Sequence, residues 1–348
     1  MPQKANAGSD FAIINWWWAD DHGAILTAYA LQQFISECGY SSELLKCWCS
    51  YSEEKRLKGI SNRFSSKYMN ISDKVYSTYT DLFEPNNNLE LNNKYTAFIT
   101  GSDQVFRAEW VPDSWFLTFV NGKGKIAAAA SFGTNDFLCP NVDRYNRIRS
   151  SIRSFDYLSV REDDGIMLCQ KHFDVQAQHI LDPVFLPDVS IYNRTFDSES
   201  KNGEYIFCYI RDINEEISAM IDRIATKYHL DVIYCSEKMD VDRFLFYLSN
   251  SQYVITDSYH GLCFSIIYKR SFLCIMNQMR GKSRFESLVR QLHLPNDNFI
   301  NENEIQNIDC IEIIDYEPIQ FLLNKNIEFS RLSLKKALQD TYNKYKMN

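Results

Sequence analysis

Residues 252–276, QYVITDSYHGLCFSIIYKRSFLCIM, decide how the rest of the chain is read. Tyr253, Val254, Ile255 and Thr256 are short, apolar and β-branched, as a strand buried on both faces of a parallel sheet must be. Asp257 and Ser258 are good helix caps, and after Gly261 an apolar run (Leu262, Cys263, Phe264, Ile266, Ile267) continues at helical length to Arg270. Residues 271–276 read as the next strand. The unit is strand, tight polar turn, helix, strand. In an open α/β sheet that puts Ser258, Tyr259, His260 and Gly261 at the carboxyl end of a strand, where ligands bind. A helix N-terminus there turns N–H groups and a positive dipole end toward an anion, and His260 adds a group that exchanges a proton near neutral pH. The plainer alternative is a helix cap with a satisfied histidine.

The residues downstream favour the anion. Arg280, Lys282, Arg284 and Arg290 lie close in sequence to Lys269 and Arg270, with Glu286 as the one acid among them. The chain as a whole is acidic, with 37 Lys+Arg against 45 Asp+Glu, so the cluster stands out from its background. A solvated helix face accounts for many charge runs. Here RGKSR (residues 280–284) precedes an apolar segment of Phe285, Leu288, Val289 and Leu292. That order predicts guanidinium groups at a second loop-to-helix junction, where they can grip phosphate or carboxylate through two bonds.

A length of 348 residues fits two domains, and 45% hydrophobic and 14% aromatic content suffice to fill their interiors. No stretch reaches the 18 or so continuous apolar residues of a spanning helix, and MPQKANAGSD lacks an apolar signal core. A cytoplasmic protein is expected, at most peripheral at the inner face of the membrane. Cys208, Cys235, Cys263 and Cys274 sit in apolar runs, as reduced core residues do; Cys47 and Cys49 are wrongly spaced for a zinc knuckle, and no CxxC occurs. No metal and no cofactor is expected. A net charge of −8 argues against nucleic acid as a partner.

In chain order, residues 11–15 read as a first strand, NWWWADDHG (residues 15–23) as the loop after it, and the segment from Gly23 to Gly39 as a long helix. This repeats the plan around His260. Trp16, Trp17 and Trp18 are core or a sugar platform. Residues 51–88 are a polar excursion from the sheet. YTAFIT (95–100) is the next strand and runs into Gly101, Ser102, Asp103 and Gln104, a binding loop or an ordinary turn. Residues 125–131 read as a strand, 143–154 as a helix, and 157–160 as a strand delivering Arg161 and Glu162. Arg161 is an anion ligand or half of a salt bridge with Glu162 or Asp164. A last strand, 175–181, closes at Asp182 and Pro183.

The expected organisation is an N-terminal domain over residues 1–190, a linker over 187–203, a second domain over 204–318, and C-terminal helices over 319–348 that pack back on the first. Strands at 205–210, 232–235 and 253–256 alternate with helices at 215–228 and 241–248. Such alternation specifies a doubly wound parallel sheet, so each half is a Rossmann-like α/β domain.

Five segments in this order resemble the polysaccharide pyruvyl transferase family: DHGAILTAYAL (21–31); GSDQV (101–105) followed by AASFG (129–133); SVRE (159–162); LDP (181–183); and TDSYHG (256–261) through FSI (264–266). The resemblance covers roughly residues 11–290. It implies a GT-B-like fold, with two Rossmann-like domains facing across a cleft. It also implies an activity, the transfer of pyruvate from phosphoenolpyruvate onto a sugar as a cyclic ketal with release of phosphate. The acceptor is then a cell-surface or capsular polysaccharide precursor, such as a lipid-linked oligosaccharide. Two departures from the family pattern, at Asp21-His22 and at Phe106-Arg107, fall in loops that the resemblance assigns to the acceptor.

Matched by motif, Arg161 and His260 stand where the family binds phosphoenolpyruvate, and Arg284 where it has a basic residue after the His-Gly helix. The expected donor residues are Arg161, Ser258, His260, Gly261, Lys282 and Arg284. Those for the acceptor are Asp21, His22, Gly23, Ser102, Asp103 and Gln104. The chemistry asks for a proton on the methylene carbon and for a base on the attacking hydroxyl. His260 is the candidate acid or phosphate donor and Asp103 the candidate base, with Asp21 and His22 as the alternatives for that base, so the expected catalytic set is His260, Asp103 and Arg161. Two other functions fit the same architecture: a glycosyltransferase using a nucleotide sugar, and a non-catalytic protein that binds acidic glycans.

Overall fold

Strands β1 (Phe11–Ile14), β2 (Ser42–Leu44), β3 (Ala97–Thr100), β4 (Gly124–Ala130), β5 (Tyr157–Val160) and β6 (Gln178–His179) form one sheet, ordered β2-β1-β3-β4-β5-β6. Every pairing in it is parallel. The computed structural model describes residues 9–16, 21–45, 89–193, 203–236, 239–276 and 281–346. Contacts divide the chain into two units, Met1–Pro187 with Lys325–Asn348, and Asp188–Asn324.

Helices α1 (His22–Glu37), α2 (Leu89–Lys94), α3 (Val142–Ile152) and α4 (Asp163–Leu168) connect the strands of the first unit. All residues of β1, β3 and β4 are buried, which is why they read as near-continuous apolar runs. Gly39, at φ +88, ends the turn after α1. The expected strand at 175–181 is shorter: only Gln178 and His179 pair with β5, and the Ile180 N–H adds one bond to the Val160 carbonyl. The chain then leaves the sheet, because Pro183 has no N–H for a ladder and opens a 3-10 turn, Pro183–Phe185, that Asp182 caps.

The second unit repeats the plan. Strands β7 (Tyr205–Tyr209), β8 (Asp231–Tyr234), β9 (Tyr253–Thr256), β10 (Ser271–Met276) and β11 (Phe299–Asn301) lie in the order β11-β10-β9-β7-β8, again all parallel. Helices α5 (Glu215–Tyr228), α6 (Val241–Asn250), α7 (Tyr259–Ile267) and α8 (Lys282–Leu292) link them. α7 starts earlier than its apolar run suggests, with Ser258 as its cap. His260 and Gly261 therefore belong to its first turn and not to a loop before it.

In both sheets the second strand lies outside the first and the third lies on the first strand's other side. The strand order reverses between β1 and β3, and again between β7 and β9, and crevices for ligands form at the carboxyl ends of such pairs. Those ends carry Asn15 and residues 101–103 in one unit, and Arg211 and residues 257–261 in the other.

A last helix, α9 (Tyr316–Lys346), begins in the second unit and ends in the first. In the first unit its Leu334 and Leu338 are buried, Ser330 Oγ accepts the Leu181 N–H at 3.0 Å, and Lys344 pairs with Asp156 at 2.7 Å. Gly124 leaves room for it, since a Cβ there would meet Thr341 Cγ2 at 2.3 Å. Trp16 packs on Trp115 with ring centres 4.4 Å apart, while Trp17, Trp18, Cys47, Cys49, the excursion at 51–88, linker residues 194–202 and Arg280 lie outside the described residues. Cys208, Cys263 and Cys274 are buried free thiols, and Cys235 is only half-buried. Among the described residues no helix is long and apolar enough to cross a membrane.

Candidate active site

In the first unit the site begins where β3 ends. Gly101 has to be glycine: a Cβ there would stand 2.6 Å from the Asn15 amide nitrogen, so the ends of β1 and β3 close on each other. Asp103 has φ +86, a conformation rare outside glycine and worth roughly 1–3 kcal/mol of strain. Its carbonyl holds the turn by accepting the Val105 N–H at 2.6 Å and the Ser131 N–H at 3.0 Å, which joins β3 to the end of β4.

Beneath Asp103 lies a buried ion cluster. Arg161, with its side chain fully shielded from solvent, donates Nη1 to Asp182 Oδ2 at 2.6 Å and Nη2 to Asp103 Oδ1 at 3.2 Å. Asp182, equally shielded, also accepts Ser102 Oγ at 2.9 Å and the Val184 N–H at 3.1 Å. Asp103 is the member that reaches solvent, at 17% side-chain exposure.

The salt-bridge partners of Arg161 are thus Asp103 and Asp182, not the expected Glu162 or Asp164. In extended backbone Arg161 and Glu162 point to opposite sides, and Glu162 turns to the β4 end instead. There its Oε1 accepts Ser131 Oγ at 3.0 Å, the Phe132 N–H at 2.7 Å and the Gly133 N–H at 3.2 Å. Asp182 was missed as a site residue by sequence reasoning. The only local signal is an Asp-Pro pair after a strand.

The remaining acceptor candidates sit on the same unit. Asp21 caps α1, its Oδ1 accepting the Gly23 N–H at 2.8 Å and the Ala24 N–H at 3.3 Å. His22 is buried in the first turn of α1, and the Gly23 carbonyl accepts Thr27 Oγ1. Gln104 crosses Gly133 so closely that a Cβ on that glycine would be 2.2 Å from Gln104 Oε1. The same oxygen accepts Arg107 Nη1 at 3.0 Å, and the Arg107 guanidinium stacks 3.6 Å over the Trp110 ring.

In the second unit Asp257 ties the crevice together. One of its oxygens accepts the Arg211 N–H at 2.8 Å and the other the Asp212 N–H at 3.0 Å, which locks the loop after β9 to the loop after β7. Thr256 Oγ1 donates to the Tyr209 carbonyl at 2.7 Å and accepts the Ser258 N–H at 3.0 Å. Ser258 Oγ accepts the Gly261 N–H at 3.4 Å, and the Gly261 carbonyl accepts Ser265 Oγ at 2.8 Å. His260 is 5% exposed, with its ring 5.6 Å from that of Tyr259.

Arg284, in the first turn of α8 and 6% exposed, sets its guanidinium carbon 5.3 Å from the same Tyr259 ring and donates Nε to the Gly281 carbonyl at 3.3 Å. One aromatic ring therefore gathers an imidazole and a guanidinium beside the start of α7. Lys282 is nearby in sequence but pairs with Glu286 at 3.3 Å. Of the expected donor residues, Ser258, His260, Gly261, Lys282 and Arg284 belong to this unit, and Arg161 belongs to the other.

The sequence profile described as polysaccharide pyruvyl transferase matches residues 21–278. No curated protein matches the chain in sequence. Among solved structures, a putative UDP-N-acetylglucosamine 2-epimerase from Listeria monocytogenes is similar at 10% identity and TM-score 0.54, over 95% of this chain and 91% of that one. The UDP-GlcNAc 2-epimerase from Neisseria meningitidis, bound to UDP-GlcNAc, matches at 12% identity and TM-score 0.48, over 95% and 99%. At 10% identity the likeness to the Listeria protein speaks for fold alone: two parallel-sheet α/β domains of GT-B type with a helical C-terminal tail.

Proposed function

We propose that this chain, which belongs to the polysaccharide pyruvyl transferase family, moves pyruvate from phosphoenolpyruvate onto a hydroxyl pair of a sugar in a polysaccharide precursor. The observation that carries the reading is the grouping of His260 and Arg284 on the Tyr259 ring at the carboxyl end of β9. Phosphoenolpyruvate brings a phosphate and a carboxylate, and a fixed guanidinium beside a helix N-terminus is the kind of site that binds such groups.

In this reading Arg284 and the first turn of α7 hold the donor's anionic groups, with Lys282 at the rim. His260 delivers a proton to the methylene carbon, which makes C2 electrophilic. Asp103 takes the proton of the attacking sugar hydroxyl. Phosphate then leaves from C2 as a second hydroxyl bonds to that carbon, and the proton of this hydroxyl departs on the phosphate, which closes the ketal. Ser102, Gln104, Asp21, His22 and Gly23 belong to the acceptor side, where the Asp21 and Ser102 bonds fix loop shape rather than touch the sugar. The burial of His260 supports proton delivery in a water-poor environment.

Mass spectrometry of an oligosaccharide acceptor tests this. The acceptor should gain the mass of pyruvic acid less one water when incubated with enzyme and phosphoenolpyruvate. An acceptor that gains a hexose from a nucleotide sugar instead supports the glycosyltransferase reading, and an acceptor unchanged by any donor supports a binding protein.

A further inference from the structure

We infer that Arg107 and Trp110 form a subsite for an acidic sugar of the acceptor, one bearing a carboxylate or a phosphate. This deepens the proposed function and rests on the turn after β3 as the acceptor side. Its first ground is a cation left uncompensated in a half-buried place. Among the described residues Arg107 makes no ion pair, its Nε is shut from solvent without an acceptor, and its Nη1 donates to a neutral group, Gln104 Oε1. Burial pushes its guanidinium below the ordinary value, against a weaker opposite pull from Glu109. Holding such a charge without a counter-ion costs stability, and an arriving anion offsets that cost.

The carboxylates of the surrounding loops are already taken. Asp103 pairs with Arg161, and Asp113 pairs with Arg144 at 2.6 Å and with Arg147 at 3.0 Å. Glu162 accepts from residues 131–133. Glu109 is exposed to solvent, which screens it. The terminal edge of the Arg107 guanidinium, with Nη2 and the second N–H of Nη1, therefore has donors to give a ligand. Its fork matches two oxygens of one oxyanion.

The second ground is Trp110. The guanidinium carbon of Arg107 stands 3.6 Å over the centre of its ring, and the residue is still 49% exposed. A pyranose turns a face of C–H groups to such a ring, and the adjoining cation takes the acidic group. The loop is held ready. Arg144 donates to the Ala108 and Val111 carbonyls as well as to Asp113, and the Trp110 N–H donates to the Arg107 carbonyl at 2.9 Å. Phe106 anchors it, buried against Phe116 and Phe132. Binding then has little loop left to order. Gln104 ties the subsite to the candidate base, since its N–H donates to Asp103 Oδ1 at 2.9 Å while its side chain holds Arg107. An acid group fixed there places the acceptor on the turn that carries Asp103.

Paired oligosaccharides on a glycan array test this with the purified protein and no donor present. Each pair holds a hexuronic acid and its carboxyl-reduced hexose, or a hexose phosphate and the free hexose, in otherwise identical chains. The parent should bind the acidic member of a pair at least about tenfold more tightly, and the two kinds of pair tell carboxylate from phosphate. Arg107→Gln should cancel that preference, while Trp110→Ala should weaken both members of a pair alike. Calorimetry should find the phosphoenolpyruvate Kd of Arg107→Gln within about twofold of the parent.

If Arg107→Gln fails to fold, Trp110→Ala is read alone, and unchanged binding of both members then overturns the subsite. Equal binding of acidic and neutral members by the parent, binding of neither, or a preference that survives Arg107→Gln overturns it as well. So does a loss of phosphoenolpyruvate affinity of about tenfold or more in that variant, which makes Arg107 a donor ligand. A parent that prefers acidic glycans but releases no phosphate with them keeps the subsite and rejects pyruvyl transfer. Phosphate released with neutral glycans alone rejects the subsite and keeps the transfer.

Discussion

Gly261 and Thr256 approach so closely that a β-carbon on the glycine would lie 2.2 Å from the threonine hydroxyl oxygen and 3.0 Å from its Cβ. That oxygen already bridges the Tyr209 carbonyl and the Ser258 N–H, so it has no freedom to retreat. The packing of α7 onto β9 is therefore what Gly261 is for, and it seats His260 at the strand end. Gly261→Ala should destabilise the protein by about 1–3 kcal/mol, as overpacking in an interior does. Thermal melts should show a lowered Tm together with lost activity, and an unchanged Tm would refute the close-packing account.

Arg284 and Arg290 share α8 but not an environment, the first being buried near Tyr259 and the second exposed. If the guanidinium plane grips an anion, Arg284→Lys should raise the KM for phosphoenolpyruvate about tenfold or more, since a point charge does not replace the fork. Arg290→Lys should change it by less than about twofold. Equal small effects at both positions would reduce the cluster to surface charge.

His260 separates proton delivery from binding. Glutamine keeps a hydrogen bond to phosphate but cannot carry a proton. His260→Gln should keep phosphoenolpyruvate affinity within about tenfold, or about 1.4 kcal/mol. Turnover should fall by roughly two to four powers of ten, the usual worth of a general acid. A common modest loss in both would make His260 a ligand only.

Lys125 supplies a stability test away from the site. Burial pushes its ammonium down to about 8, opposed in part by Asp156, and Nζ donates to Ser151 and Ser154 at 3.0 Å each. A lysine lowered in the folded state binds fewer protons there than in the unfolded chain between about pH 8 and about 10.4. Stability should therefore rise through that interval as the unfolded chain gives up its extra proton. Urea melts of the parent and of Lys125→Met measure it: the lysine-dependent part of the rise should vanish in the variant, and parallel profiles would contradict the assignment.

Much of this architecture is legible because it is periodic. The span of α5, Glu215–Tyr228, follows from its apolar spacing with Asn214 as cap, and β9, Tyr253–Thr256, from its unbroken apolar run. The edge strands β2 and β11 have three residues each, too few to show a period of two. The start of α7 hides because capping by Ser258 is a local hydrogen bond, while the apolar run resumes only after Gly261. The Arg161 cluster is hidden for another reason. Its bonds join residues 21, 58 and 80 positions apart, and pairing at such separations leaves no trace in local pattern. The types and ends of the strands told where side chains with chemistry would gather, but not which carboxylate each cation would choose.

Phosphorus-31 NMR of the purified protein with phosphoenolpyruvate and lipid-linked oligosaccharides decides whether pyruvyl transfer takes place. The phosphoenolpyruvate signal should give way to inorganic phosphate only when a suitable glycan is present, and His260→Gln should abolish the change on the same timescale. Phosphoenolpyruvate left intact with every glycan, or a nucleotide diphosphate released from a sugar nucleotide in its place, would contradict it.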